Sequence, residues 1–336
     1  MRVAVIGAGA VGGTLAALLS CGGHDVEVVA RGAHLDEILR RGIHLAGAWG
    51  DHTALIEASS ELQRTPDLAI VATKAQDAEA AMRTAARLLD GVPVVIVQNG
   101  LGSVATGRAA LPGSEVIGAL ALFAASYLAP GEIVVTATGR LYLDGSTTRS
   151  ASVADVLRAV LPVSVTADFV GAQWTKLVVN QINALPAITG LSAQEVISHR
   201  GLRRIMAESM RETVRVGLDS GVRFAPLQGM SHRMLLLFHH APAAFAGLLP
   251  LAMARRMGPT PNPGSTLQSI RRGQPTEIDH LSGAVVEAAA AAGGQATINA
   301  VLVRMVHEVE GGRRFLTPDE VMERVRQTTS RSGNGG

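Results

Sequence analysis

The stretch TKLVVNQINALPAITG, Thr175 to Gly190, places one lysine and two asparagines among leucine, valine, isoleucine and alanine. From Phe169 to Gln194 the one formally charged side chain is Lys176. A surface helix carries charges along its solvated side, so this one reads as mostly buried. At about 100° per residue, spacings of four and three put Lys176, Asn180 and Asn183 on one narrow stripe, with Gln173 at its edge. Buried polar groups need partners, so the stripe must face something polar. A positioned ammonium stabilises developing negative charge and hands over a proton. Asparagines are neutral donors and acceptors suited to a carboxylate or hydroxyl. Burial lowers the pKa of such a lysine, while a nearby carboxylate raises it again and orients it. A lone buried asparagine is usually a helix packing contact, and that alternative stays open for each one here.

A second group of residues sits at the ends of apolar, β-branched runs. GAGAVGG follows RVAVI directly, and Gly7, Gly9 and Gly12 match G-x-G-x-x-G at a turn from strand into helix. There Gly7 permits the tight turn, Gly9 lets the backbone approach a pyrophosphate and Gly12 lets helix and strand pack closely. Ala8, Ala10 and Val11 complete the turn, and the helix N-terminus faces the phosphate charge. The bland alternative is a glycine-rich turn with no ligand. At the end of the second strand, where an NAD-preferring site offers Asp or Glu, VEVVARG presents Arg31. A guanidinium suits a 2′-phosphate and a carboxylate repels it, so NADP is the expected cofactor; otherwise Arg31 is a solvated loop residue. VATKAQ adds Lys74, and IVQNGLG adds Gln98 and Asn99, at further strand ends where open α/β sheets bind ligands.

Those side chains need a frame. RVAVI (2–6), VEVVA (26–30), LAIVAT (68–73), PVVIVQ (93–98) and SEVIGALAL (114–122) read as strands. Their spacers can hold crossover helices, the pattern of a mostly parallel, doubly wound α/β sheet. GEIVVTATGRLYLDG (131–145) reads as an antiparallel hairpin, followed by a helix near 153–161 and a last strand, VSVTA. After Asp168 the helical period dominates, with helices expected near 171–189, 201–220, 264–272, 275–292 and 298–308. The expected organisation is a Rossmann domain over 1–168, an all-helical domain over 169–326 and a disordered Ser/Gly-rich tail over 327–336.

With 336 residues the chain exceeds a single compact core. Thirty basic and 28 acidic residues nearly balance, at +2. Aromatics make up 3% of the chain and no basic run is interleaved with them, which argues against a nucleic-acid surface. A single cysteine, Cys21, allows no internal disulfide and points to a reducing compartment. The opening MRVAVIGAG reads as a strand and turn rather than a signal peptide, so a cytoplasmic location is expected. The most membrane-like segment, Met234 to Met257, is interrupted by His239, His240, Pro242 and Pro250 and falls short of the roughly 20 apolar residues of a bilayer span. It reads as a buried helix pair or a subunit contact, which leaves room for a homodimer. His232, His239 and His240 lack carboxylates or cysteines at ligand spacing, so no metal site is expected.

GAGAVGG, ARGAHL, KAQ, QNGLG, KLVVN and STLQSIRRGQPTEID occur in an order and spacing that resembles the ketopantoate reductase (2-dehydropantoate 2-reductase) family, from residue 2 to about residue 310. The resemblance implies a Rossmann domain followed by an all-helical domain of the 6-phosphogluconate-dehydrogenase type, with the active site in the cleft between them. It implies NADPH-dependent reduction of 2-dehydropantoate to pantoate, a step of pantothenate and coenzyme A synthesis. It makes Lys176 the proton donor and Glu277 the carboxylate at the cofactor and active-lysine end of the cleft. Asn180 and Ser265 become substrate contacts, the stripe geometry admits Asn183 as a further one, and Asn99 meets both cofactor and substrate. Arg31 and Lys74 lie along the NADPH, and Ala125, in AASYLAPG, offers it a backbone contact.

The chain also departs from that pattern. The family's second asparagine stands eight residues after the lysine, where this chain has Ala184; Asn183 comes at seven. TGLSAQEV holds no counterpart to a further asparagine, STLQS has Ser269 in place of an acid, and the apolar segment 233–257 lengthens the route to Ser265. Two other readings therefore stand: a paralogous NADPH-dependent reductase of another 2-oxoacid, and an NADP-binding sensor or partner-binding protein without catalysis. Retention of Lys176, Asn180, Ser265 and Glu277 argues against the sensor, which needs no proton donor or substrate clamp.

Overall fold

In the first strand, Val3 and Val5 enter one apolar core while Ala4 and Ile6 enter another. The same division recurs at Leu68 and Ile70 against Ala69 and Val71, and at Val95 and Val97 against Val94 and Ile96. Strands covered on both faces read as continuous apolar runs, which is the physical origin of these segments' composition. The computed structural model describes residues 1–258, 261–312 and 314–332. It divides into two compact units, Met1–Phe169 and Val170–Gly336.

The first unit runs β1 (Arg2–Ile6), α1 (Ala10–Cys21), β2 (Asp25–Val29), α2 (Gly32–Arg41), β3 (Ile43–Gly47), β4 (His52–Ala54), β5 (Glu57–Ser59), β6 (Leu68–Val71) and α3 (Ala75–Leu89). It continues with β7 (Pro93–Val97), α4 (Ser103–Ala110), β8 (Glu115–Ala121), β9 (Ala124–Ala129), β10 (Glu132–Ala137), β11 (Leu141–Asp144), α5 (Ser150–Arg158) and β12 (Val163–Thr166). The large sheet has the order β12-β11-β8-β7-β6-β1-β2-β5. From β5 to β8 every pairing is parallel; β11 joins β8 antiparallel and carries β12 parallel to itself. α1 and α5 cover one face through Leu15, Leu19, Val153 and Leu157, and α3 and α4 cover the other through Met82, Leu89 and Ala110. This is the expected Rossmann arrangement, and chain order reverses between β1 and β6, where such sheets open a ligand crevice.

The expected hairpin over 131–145 does not form. β10 pairs with β9 and β3 in a separate sheet of order β4-β3-β10-β9, whereas β11 belongs to the large sheet. The reason is turn chemistry: Pro130 and Gly131, the latter at φ +75°, reverse the chain one strand earlier and give β10 its antiparallel partner in β9. The strands β3, β4 and β5 are short and carry glycine, histidine and serine, so no apolar run announced them.

The second unit is helical: α6 (Phe169–Asn180), α7 (Ala184–Thr189), α8 (Ala193–Ser198), α9 (Arg200–Asp219), α10 (His232–His240), α11 (Leu248–Met257), α12 (Gly264–Arg271), α13 (Ser282–Ala291), α14 (Thr297–Glu310) and α15 (Pro318–Ser332). The helix expected over 171–189 is broken by a 3₁₀ turn at Gln181–Asn183. Pro186 lacks an N–H and its ring opposes the carbonyl four residues back, so an uninterrupted α-helix through this point is disfavoured. Residues 327–332, expected as a disordered tail, are helical; residues 333–336 lie outside the described residues. The signal for α15 is a capping box: Thr317 Oγ1 accepts from the Glu320 N–H at 3.3 Å and Glu320 accepts from the Thr317 N–H at 2.8 Å. Pro318 occupies the first helical position, and Val321 and Val325 are buried one turn apart. The apolar segment forms the helix pair α10 and α11, less buried than expected: Leu237, Phe245 and Leu248 are exposed. Among the described residues no helix is long and apolar enough to cross a membrane.

Candidate active site

The glycine-rich turn joins β1 to α1. Gly7 has φ +97°, and a Cβ there would lie 2.7 Å from the Thr73 backbone nitrogen. A Cβ on Gly12 would lie 1.8 Å from the Gly7 carbonyl oxygen. Gly9 differs: a Cβ there would meet nothing within 4 Å. Packing inside the protein therefore requires Gly7 and Gly12 but not Gly9, which is what a backbone kept bare for an outside group looks like. Gly9 caps α1 and no side chain caps that helix end. Ala8 is buried, and Ala10 and Val11 are half-buried on the first turn of α1. These features fit a dinucleotide pyrophosphate.

Around that turn, Arg31 is exposed at the N-cap of α2 and Lys74 stands at the N-cap of α3, each at the C-terminal end of a strand. Asn99 lies in the bend after β7. The neighbouring Gln98 is already committed, because its Nε2 donates to the Thr73 carbonyl at 3.0 Å and ties the ends of β6 and β7 together. The Thr73 hydroxyl is buried with no hydrogen-bond partner. Ala125 lies in β9, paired with Val135, in the small sheet rather than the large one. That sheet packs on α1, since a Cβ on Gly13 would lie 2.2 Å from Ile133 Cδ1.

In the second unit Lys176 is buried on α6. Burial pushes its ammonium pKa down to about 8, against which the Glu277 charge holds it up. Glu277 is half-buried and opens the 3₁₀ turn before α13. Of the 30 lysines and arginines, only Lys74 and Lys176 are lysines. Arginine does not release its proton in proteins, so proton donation near neutral pH is a role the remaining cations cannot fill. Asn180 ends α6, and its Nδ2 is buried with no hydrogen-bond partner. An orphaned buried amide is costly unless something else meets it.

Asn183 is buried one 3₁₀ turn further on. Its Oδ1 sits where a Cβ on Gly264 would lie, 2.6 Å away, and Gly264 has φ +71°. Asn183 is therefore packed under the start of α12, which carries the exposed Ser265 close to its N-terminus. Thr266, next to it, is buried with an unpartnered hydroxyl.

Gln181, passed over in reading the stripe, anchors it. Its Oε1 accepts the hydroxyls of Ser209 on α9 and Ser282 on α13, each at 2.9 Å, and its Nε2 donates to the Leu177 carbonyl at 3.1 Å. Asn299 and Glu212 extend this buried network at 2.8 Å. The signal was a third amide between two asparagines, but its partners lie up to 101 residues away. Among the described residues no group of three or more His, Cys, Asp or Glu could hold a metal ion.

Comparison with known proteins supplies the lineage. Residues 3–146 match the family described as ketopantoate reductase PanE/ApbA, and residues 168–310 match its C-terminal counterpart. The 2-dehydropantoate 2-reductase of Pyrococcus abyssi is 28% identical over 90% of this chain and 95% of its own length. That of Mesorhizobium japonicum is 30% identical over 85% and 91%. A PanE/ApbA family ketopantoate reductase from Ralstonia eutropha superposes with a TM-score of 0.80 at 29% identity, covering 93% of this chain and 99% of that one. D-mandelate dehydrogenase, solved with NADH and anilino(oxo)acetate, shares the fold at a TM-score of 0.79 and 19% identity over 93% and 99%. On these matches and the architecture above, the chain belongs to the ketopantoate reductase family, a family of nicotinamide-dinucleotide oxidoreductases.

Proposed function

We propose that this chain reduces 2-dehydropantoate to pantoate with NADPH, in pantothenate and coenzyme A synthesis, with Lys176 as the proton donor. The observation that carries the reading is a buried lysine in the field of Glu277, on the helix that also bears Asn180. When bound, the dinucleotide supplies a hydride to the ketone carbon. The ketone oxygen gains negative charge as that bond forms, and the Lys176 ammonium first stabilises the charge and then transfers its proton, leaving the alcohol and a neutral amine. Glu277 keeps enough of the lysine protonated near neutral pH to act as acid. Asn180 and Ser265 hold the substrate's polar groups, which gives the orphaned Asn180 amide a partner.

Gly7, Ala8, Gly9, Ala10, Val11 and Gly12 hold the cofactor pyrophosphate, with Arg31 on the 2′-phosphate and Lys74, Asn99, Ala125 and Glu277 along the rest. The exposed guanidinium at the end of β2 supports NADP over NAD. The proposal includes a cytoplasmic location and a homodimer; the exposed Leu237, Phe245 and Leu248 support the homodimer.

A second reading, reduction of a different 2-oxoacid, is favoured by one observation: Asn183, one position short of the family's second asparagine, packs against Gly264. Loss of NADPH absorbance with 2-dehydropantoate and a panel of other 2-oxoacids, in wild type and Lys176→Ala, tests both. Fast turnover of 2-dehydropantoate that collapses in the variant is the expected result. Turnover of another oxoacid alone would move the enzyme out of pantothenate synthesis. Tight NADPH binding with no oxoacid turned over would sink the catalytic assignment.

A further inference from the structure

We infer that His34 is a positioning residue for the dinucleotide, holding the glycine-rich turn and the start of α2 in one fixed arrangement. This rests on the reading that the turn binds a dinucleotide pyrophosphate. His34 lies in the first turn of α2, three residues after Arg31. Its Nδ1 accepts from the backbone N–H of Gly131, in the β9–β10 turn, at 3.0 Å. A backbone N–H can only donate, so Nδ1 is unprotonated and the proton of the neutral ring sits on Nε2. Nε2 in turn donates to the Ala8 carbonyl, inside the glycine-rich turn, at 2.7 Å. Half-burial lowers the imidazole pKa, which favours this neutral form, while the Ala8 carbonyl opposes that shift. The Tyr127 ring meets the imidazole edge-on at 4.9 Å and restricts its rotation.

One imidazole thus links α2, the small sheet and the phosphate turn. The consequence for binding follows from peptide geometry. In a planar trans peptide the C=O and N–H point in opposite directions. Holding the Ala8 carbonyl toward His34 therefore aims the Gly9 N–H of the same peptide away from His34. Gly9 is the residue whose backbone is kept bare on its outer side. The side chain that orients this donor stands on the helix that Arg31 opens, so His34 also sets the spacing between the pyrophosphate donor and the 2′-phosphate cation.

Three substitutions separate the two bonds. By the reach of an amide compared with an imidazole, His34→Gln can keep the donor to Ala8, His34→Asn can keep the acceptor for Gly131, and His34→Phe keeps neither but fills the volume. NADPH affinity is measured by calorimetry on each full-length protein, with thermal unfolding in the absence of NADPH and with kcat and KM for the cofactor. Asn and Phe are expected to weaken NADPH binding about tenfold, the size of one lost hydrogen bond, with KM rising in step and kcat at saturating NADPH nearly unchanged. Gln should restore most of the affinity. Wild-type affinity in all three variants would overturn the inference, as would an equal loss in all three that follows their loss of melting temperature. Failure of the wild type itself to bind any nicotinamide dinucleotide would overturn the dinucleotide reading together with this one, and the wild-type titration distinguishes that case.

Discussion

Lys176 carries two opposed demands. Below a pKa of about 8 it is protonated and able to act as the acid of ketone reduction, so kcat in that direction is expected to fall as pH rises through about 8. The reverse oxidation needs the neutral amine and should rise over the same interval. With only two lysines in the chain, lysine-selective isotope labelling yields one resonance each for Lys74 and Lys176, and the titration can be read directly. A midpoint near the ordinary value of 10.5 would contradict the assignment. The same shift is a statement about stability. The folded protein binds this proton less tightly than the unfolded chain does, so the cost is fully present below about 8 and is relieved as pH rises toward 10.5. Lys176→Met should therefore abolish most turnover yet raise stability at neutral pH, by at most about 3 kcal/mol. Urea unfolding of both proteins at pH 7 checks the sign, and a less stable Met variant would refute it.

At the level of elements, the glycines make a sharper test than the side chains. Gly12→Ala forces a methyl against the Gly7 carbonyl and should destabilise the first unit. Gly9→Ala meets no protein atom at a permitted φ of −61°, so its melting temperature should stay close to wild type while NADPH binding weakens at least tenfold. Equal melting losses in both variants would show that Gly9 serves packing. Gly264 couples the lysine helix to α12. Gly264→Ala adds a methyl 2.6 Å from Asn183 Oδ1 at a positive φ, with an expected cost of about 1–3 kcal/mol. Adding Asn183→Ala should return the part due to the clash and leave the part due to the backbone. A double mutant no more stable than Gly264→Ala would show that the two residues are not coupled. These elements were unevenly legible in the chain. The apolar runs announced the parallel strands because burial on both faces leaves no room for polar alternation, whereas β3, β4 and β5 carry no such pattern.

For the whole molecule, the proposed homodimer is a claim about surface. Leu237, Phe245 and Leu248 are large apolar side chains left exposed on and between α10 and α11. Sedimentation is expected to show a dimer that Leu237→Glu with Phe245→Glu dissociates, with each subunit keeping its helix content. A monomeric wild type at micromolar concentration would remove the dimer from the proposal. Neither residue packs in a core, so loss of folding is not the expected outcome.

Local chemistry made three things readable before any fold was known: a glycine turn after a first strand, a cation where an acid would select NAD, and one lysine on an otherwise uncharged helix. Each depends on residues within a few positions of one another, where steric and charge rules act directly. Tertiary structure decided the rest. It gave β10 to β9 instead of β11, committed Gln98 to Thr73, set Asn183 beneath Gly264 and drew Gln181 into a network with Ser209 and Ser282. Gln181 and Ser282 stand 101 residues apart, and His34 and Gly131 stand 97 apart. A hydrogen bond across such a separation leaves no periodicity in the chain, because its geometry exists only once the elements between have packed.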